Sequence, residues 1–140
     1  MLGCSLLGGC GDSGKSLTGS ICSVYDCGFN EVAVRQVGAT TIQIDYTDGP
    51  VTETTTRAAV VVCDISTFTK GVAVPATSVR HIAPDGVGFP TLKEGQCTFN
   101  DDLVDGQTVC GSFHATFTTE AGTERALMGE FCSPLVVVPW

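Results

Sequence analysis

The stretch Val109-Cys110-Gly111-Ser112-Phe113-His114-Ala115-Thr116-Phe117-Thr118 decides the fold class. Phe113, Ala115 and Phe117 recur at every second residue with Ser112, His114 and Thr116 between them, the period of a strand with one buried and one wet face. A turn around Ala121-Gly122 follows, and Arg125 to Val138 resumes the alternation with Leu127 and Phe131 on the core side. The pattern predicts an antiparallel hairpin. Cys110 and Cys132 lie about equally far from Gly122 and both alternate with the core-facing Phe positions. They should therefore meet on one face of adjacent strands and form a disulfide.

The same texture runs outward through the chain. In Glu31 to Val37 the apolar Val32 and Val34 alternate with Glu31 and Arg35, and in Thr41 to Thr47 Ile42, Ile44 and Tyr46 alternate with Gln43 and Asp45. Joined through Gly38, these read as a second hairpin. Asp48-Gly49-Pro50 is a turn signal, a strand is expected through Thr52 to Val62, Gly71 to Val74 is a short strand candidate, and Arg80 to Pro90 reads as a loop from its prolines and glycines. A further strand is expected before the acidic turn Asn100 to Gly106. About eight short antiparallel strands predict an all-β fold, either a small up-and-down, lipocalin-like β-barrel or a β-sandwich.

Eight cysteines are present. Cys22, Cys27, Cys63, Cys97, Cys110 and Cys132 form an even set once Cys4 and Cys10 are set aside, and no spacing is that of a structural zinc site. Three disulfides and an oxidising compartment are expected; buried free thiols in a cytosolic chain are the alternative. Cys22 with Cys27 and Cys63 with Cys97 are natural partners for the remaining bridges, although spacing leaves 15 connectivities open. With 140 residues there is material for one domain. Its 15 Asp and Glu against 7 Lys and Arg give a net charge of −8, which disfavours nucleic acid. No apolar run approaches the ~20 residues of a membrane-spanning helix.

At the N-terminus, Leu7-Gly8-Gly9-Cys10 reads as a lipobox: small residues expose a thiol for acylation, and cleavage leaves Cys10 as the first residue. Met1 to Leu7 has no Lys or Arg, so residues 1-9 are expected to be a truncated signal whose basic start lies upstream. Residues 10-16 would be a flexible lipid-anchored tether and 17-140 the β domain. Gly9-Cys10-Gly11-Asp12-Ser13-Gly14-Lys15-Ser16 also fits the P-loop pattern. That reading requires a helix opening at Ser16, and Leu17 to Val24 is poor helix sequence.

His81 and His114 are the available neutral-pH acid/base groups, and a lone histidine on a strand face is ordinarily a surface residue. No nucleophile elbow and no Cys/His pairing occurs. Asp101, Asp102 and Asp105 lack the bidentate Glu of a calcium loop and read as a solvated turn. Thr54-Thr55-Thr56 reads as an exposed strand edge, and Trp140 as a residue packed over a barrel mouth or on a partner surface. No catalytic residue, metal or cofactor is expected.

The residues Leu17-Thr18-Gly19-Ser20, Val24-Tyr25-Asp26, Phe29 to Arg35 and Ile42 to Tyr46, with the closing Gly111 to Phe117 and Gly129-Glu130-Phe131, resemble small uncharacterised lipoproteins abundant in myxobacteria. The resemblance covers most of the mature domain at the level of pattern, and this chain carries more cysteines than that group. It implies an outer-membrane or surface lipoprotein with a β-rich domain and brings no assigned activity. The sequence expectation is thus a non-enzymatic envelope module, periplasmic or surface-exposed, whose membrane partner is reached through the lipid anchor. The alternatives are a carrier of a small apolar ligand in a barrel cavity and, remotely, a P-loop nucleotide-binding protein.

Overall fold

The computed structural model describes residues 15–49 and 55–138. Leu7, Gly8, Gly9, Cys10, Thr54 and Trp140 lie outside them. The described residues form one eight-stranded sheet that closes into a ring: β1 Ser16–Thr18, β2 Glu31–Val37, β3 Thr41–Thr47, β4 Arg57–Asp64, β5 Val74–Ile82, β6 Thr91–Phe99, β7 Thr108–Thr118 and β8 Glu124–Val138. A 3-10 turn, Ser20–Ser23, stands between β1 and β2. Strands β2 to β8 follow one another around the wall as an antiparallel meander. The chain is a barrel.

Seven successive staves of a meander leave the first and last pointing the same way, so closure has to be parallel. Val34 to Val37 of β2 accordingly pair parallel with Leu135 to Val138 of β8. The other ladders of the ring are antiparallel, as expected. β8 is long enough, at 15 residues, to serve three partners. One edge pairs with β7 over Glu124 to Pro134; the other carries β1 at Met128 to Glu130 and β2 from Leu135 onward. Leu135 exchanges backbone bonds with Gly106 and Gln107 on the β7 side, which leaves the opposite edge for β2.

The opening hairpin has the expected bounds, turned at Gly38 with φ of 85°, and the last hairpin turns at Gly122 with φ of 81°, conformations glycine adopts without penalty. Two expectations need correction. Of the strand read through Thr52 to Val62, Thr52 to Thr54 lie outside the described residues, and the described part forms a strand over Arg57–Asp64, two residues beyond the expected end. The segment read as a short strand to Val74 and then a loop from Arg80 is one strand, Val74–Ile82. A bulge between Val62 and Cys63 shifts the register against Ala76 and Ser78, so inward Val74 and Ala76 and inward Val79 and His81 are out of simple alternation.

The interior is filled with side chains. Phe68, Phe99 and Phe131 stack edge to face near the Gly38 end, Phe29, Tyr46 and Phe113 occupy the middle, and Tyr25, His81, Phe89 and Phe117 fill the Gly122 end, with ring centroids 5.0 to 6.2 Å apart. Narrow barrels are packed this way because their lumen is only wide enough for side chains. Two Gly-x-Phe triplets make it possible. Gly111 pairs across strands with Phe131, and Phe113 with Gly129, so each ring lies over the glycine opposite. A β-carbon at Gly129 would strike the Phe113 ring and the Tyr46 hydroxyl, and one at Gly111 the Phe131 ring and the Thr98 carbonyl.

Among the described residues three disulfides are formed: Cys22–Cys27, Cys63–Cys97 and Cys110–Cys132. Cys110 and Cys132 are paired residues of β7 and β8 on the outer face, as equal spacing about the turn requires. Cys63 and Cys97 are fully buried and tie β4 to β6 beneath β5. The tie falls where the wall is weakest, since β5 and β6 pair only at Val74 with Cys97 and Pro75 with Gln96 before separating. Closing a 34-residue separation should contribute about 3–4 kcal/mol in a chain-entropy account.

The reciprocal glycine–ring packing yields a direct expectation. Gly129→Ala should destabilise the domain by about 1–3 kcal/mol through overpacking, whereas Gly86→Ala, in an open loop with positive φ, should cost less. Urea unfolding of the two variants measures the difference.

Candidate functional site

Above the Val74–Cys97 pairing, β5 and β6 diverge and the wall is completed by side chains and loops instead of a ladder. Beside it, where the loop after β5 faces the Tyr25 loop and the start of β4, a cleft of about 550 Å³ is lined by Val24, Tyr25, Asp26, Thr56, His81, Ala83, Pro84, Asp85 and Val87. Each bank is fixed locally. On one side the Cys22–Cys27 disulfide closes a five-residue separation, and the buried Ile21 plugs the barrel end beneath it. Gly19, with φ of 136°, presses against the Ala126 backbone where no side chain fits. The Ser20 hydroxyl accepts from the Ala126 N–H at 2.9 Å and fastens the loop to β8.

On the other bank, Asp85 accepts the Val87 N–H at 2.9 Å in a local turn, as Asp26 accepts that of Gly28 at 2.8 Å across the cleft. The Tyr25 hydroxyl joins the banks by donating to the Gly88 carbonyl at 2.8 Å. Each carboxylate thus spends one oxygen on backbone. Neither has an ion-pair partner among the described residues.

His81 forms part of the cleft wall and is only 7% exposed. This corrects its reading as a surface residue at the head of a loop: it is the penultimate residue of β5 and points inward. Its Nδ1 lies 3.1 Å from the Ala58 carbonyl, which can only accept, so Nδ1 carries the proton. The ring packs against those of Tyr25 and Phe89, with centroids 5.3 and 5.2 Å away. His114, by contrast, is exposed on the outer wall beside Glu94 and Gln96, as its alternation with Phe113 predicts.

The other singled-out residues stand apart from the cleft. Asp101 accepts from the Cys110 N–H, Asp105 from the Val137 N–H, and Asp102 pairs with Lys70. Each acidic residue of that turn has its own structural partner, and no cluster able to hold a metal occurs among the described residues. On the outer face of β2 and β3, Arg35 reaches Asp45 at 2.5 Å and Gln43 donates to the same carboxylate at 3.0 Å. This buried carboxylate is satisfied within the wall. Of the threonine run, Thr56 lines the cleft. The helix that a P-loop needs after Ser16 is replaced by β1 and the 3-10 turn.

Sequence reading missed Tyr25, Asp26 and Asp85 as cleft residues. The available signals were the cysteines bracketing Val24-Tyr25-Asp26 and the short Asp-x-Gly turn at Asp26, but nothing local joins that loop to Asp85.

One buried titratable group holds the opposite side of the barrel. The Tyr46 hydroxyl donates to the Glu130 carbonyl at 2.6 Å, and burial, with the Glu130 charge behind it, pushes the phenol well above its ordinary value of 10.0. Below about pH 10 folded and unfolded chains both keep this proton, so the contribution is whole. Above it the unfolded chain ionises while the folded one resists, and stability falls with rising pH. In a Tyr25→Phe variant, tyrosinate absorbance should therefore stay flat on alkaline titration until the chain unfolds; a reversible rise in the folded state would contradict the burial of Tyr46.

Compared with known proteins, the chain matches no family model, no curated protein and no solved structure.

Proposed function

We propose that this chain is an exported, lipid-anchored envelope protein that acts by non-enzymatic binding or structural association. The observation that carries the reading is that all six cysteines of the β domain are paired in three disulfides, one buried and tying non-adjacent strands. Bridges of this kind persist in an oxidising compartment, and small exported domains use them to supplement a modest core. Leu7-Gly8-Gly9-Cys10 supplies the matching address, with Gly11 rather than Asp after the cysteine pointing by analogy to the outer membrane. The resemblance to small myxobacterial lipoproteins points the same way. β1 begins at Ser16, so the six residues Cys10 to Lys15 are available as a tether of at most ~20 Å when fully extended.

Lipid attachment by acyl chains, each buried methylene contributing ~0.8 kcal/mol, would suffice to hold the domain at a bilayer. The stacked rings of the barrel interior favour a packed module over a calyx carrying an apolar ligand, because ligand-carrying barrels need an open lumen. Any small-molecule recognition then falls to the wall.

Expression of the full-length gene in its own host with an alkyne fatty acid tests the address. The wild type should incorporate label and partition with membranes, and Cys10→Ser should lose both while keeping its disulfides. Unlabelled cytosolic protein with reduced thiols would overturn the proposal.

A further inference from the structure

We propose that the Gly38 end of the barrel lies on the bilayer, with the lipid surface as the partner of an apolar rim formed by Val37, Val72, Val104 and Val136. The proposal rests on Cys10 being acylated and adds which face of the domain meets the membrane. The direction of β1 carries it. Ser16 pairs with Glu130 and Thr18 with Met128, so the chain followed back from Thr18 to Ser16 advances along β8 toward Val138. It therefore leaves the wall heading for the Gly38 end. From Glu130 to Val138 the strand runs ~26 Å, which at a barrel tilt of roughly 40° is ~20 Å of height. The six residues Cys10 to Lys15 span at most ~20 Å. A lipid on Cys10 thus comes level with the Gly38 rim at full extension.

The rim itself is apolar. Val37, Val72, Val104 and Val136 are 41%, 54%, 43% and 51% exposed, and they come from the end of β2, the loop after β4, the loop after β6 and the end of β8. Long-range contacts gather them. The parallel closure sets Val37 beside Val138 and Val136 beside Arg35. The Val104 turn is held to β8 by the Gly106 N–H, which donates to the Leu135 carbonyl at 2.7 Å, and by Asp105, which accepts the Val137 N–H at 3.1 Å. Lys70 pairs with Asp102 and ties the Val72 loop to the same turn. Trp140 follows Val138 by two residues and is of the residue type enriched at membrane interfaces.

The carboxylates of this end are engaged within the fold: Asp64 accepts the Ser66 N–H, Asp101 that of Cys110 and Asp105 that of Val137, while Asp102 faces Lys70. Contact through the valines scales with apolar area and needs no anionic lipid. Val24 and Val87 are equally exposed but stand at the Gly122 end, from which β1 directs the chain away.

The test purifies the full-length gene product from its own host, reconstitutes it in vesicles of phosphatidylcholine and phosphatidylethanolamine, and reads hydrogen exchange together with quenching of Trp140, the sole Trp, by brominated lipid. Amides of Gly71-Val72 and of Val104 to Gln107 should exchange about threefold or more slower than in the unacylated Cys10→Ser chain, and those of Asp85 to Gly88 and Ala121 to Thr123 at an unchanged rate. Val72→Asp combined with Val104→Asp, both at exposed positions, should lower Trp140 quenching about twofold or more, whereas Met128→Asp, exposed on the outer wall nearer the other end, should leave it unchanged. Intact mass is read first. Protein without acyl chains on Cys10 removes the anchor and this orientation together. Acylated protein that is protected at the Gly122 end, protected at neither end, or equally affected by Met128→Asp overturns the orientation and leaves the anchor standing.

Discussion

The parallel contact between Val34 to Val37 and Leu135 to Val138 is the constraint on which the barrel depends. A meander with an odd number of staves can close no other way, and an open sheet of this sequence would expose both edges and one wide apolar face. The length of β8 is what satisfies the constraint. Its upper part is covered by β7 and β1, and its lower part is free to receive β2. At the change of partners, Tyr46 crosses the interior to bond the Glu130 carbonyl, so the closing strand is also fastened from within.

Closure on one side concentrates the irregularity on the other. Between β5 and β6 the ladder is two residue pairs long, and three different interactions substitute for the missing bonds. The buried Cys63–Cys97 bridge ties across the lower part, the Tyr25–His81–Phe89 rings fill the upper part, and the Tyr25 hydroxyl laces the two loops together. A cleft lies beside them, where side chains and turns leave concave gaps that a ladder does not.

Much of the wall is legible in the sequence because half-buried strands alternate. The two hairpins, the outward Cys110 and Cys132, and the exposed His114 all follow from parity about Gly38 and Gly122. The Gly-x-Phe triplets are visible too, but their meaning is not. Only the register shows that each glycine is the floor under the other strand's ring. β5 escapes because a bulge resets its alternation and the prolines and glycines that follow it suggest a loop beginning too early. His81 is misread with it, since its environment is made by Ala58 and Tyr25 from distant parts of the chain. The parallel closure and the Tyr25 hydroxyl's bond to the Gly88 carbonyl are likewise products of long-range assembly, invisible to any local pattern.

The two strand-to-strand disulfides differ in where they lie, and that difference orders the birth of the protein. Cys110 and Cys132 sit on the outer wall, so an oxidoreductase can reach them after the hairpin has formed, at any later time. Cys63 and Cys97 have no exposure at all. Once the last strand has shut the ring, no oxidant can touch them, and the inner bond must be made while the nascent barrel is still ajar. A chain that seals too early would carry two stranded thiols at its heart, and only reopening could rescue it.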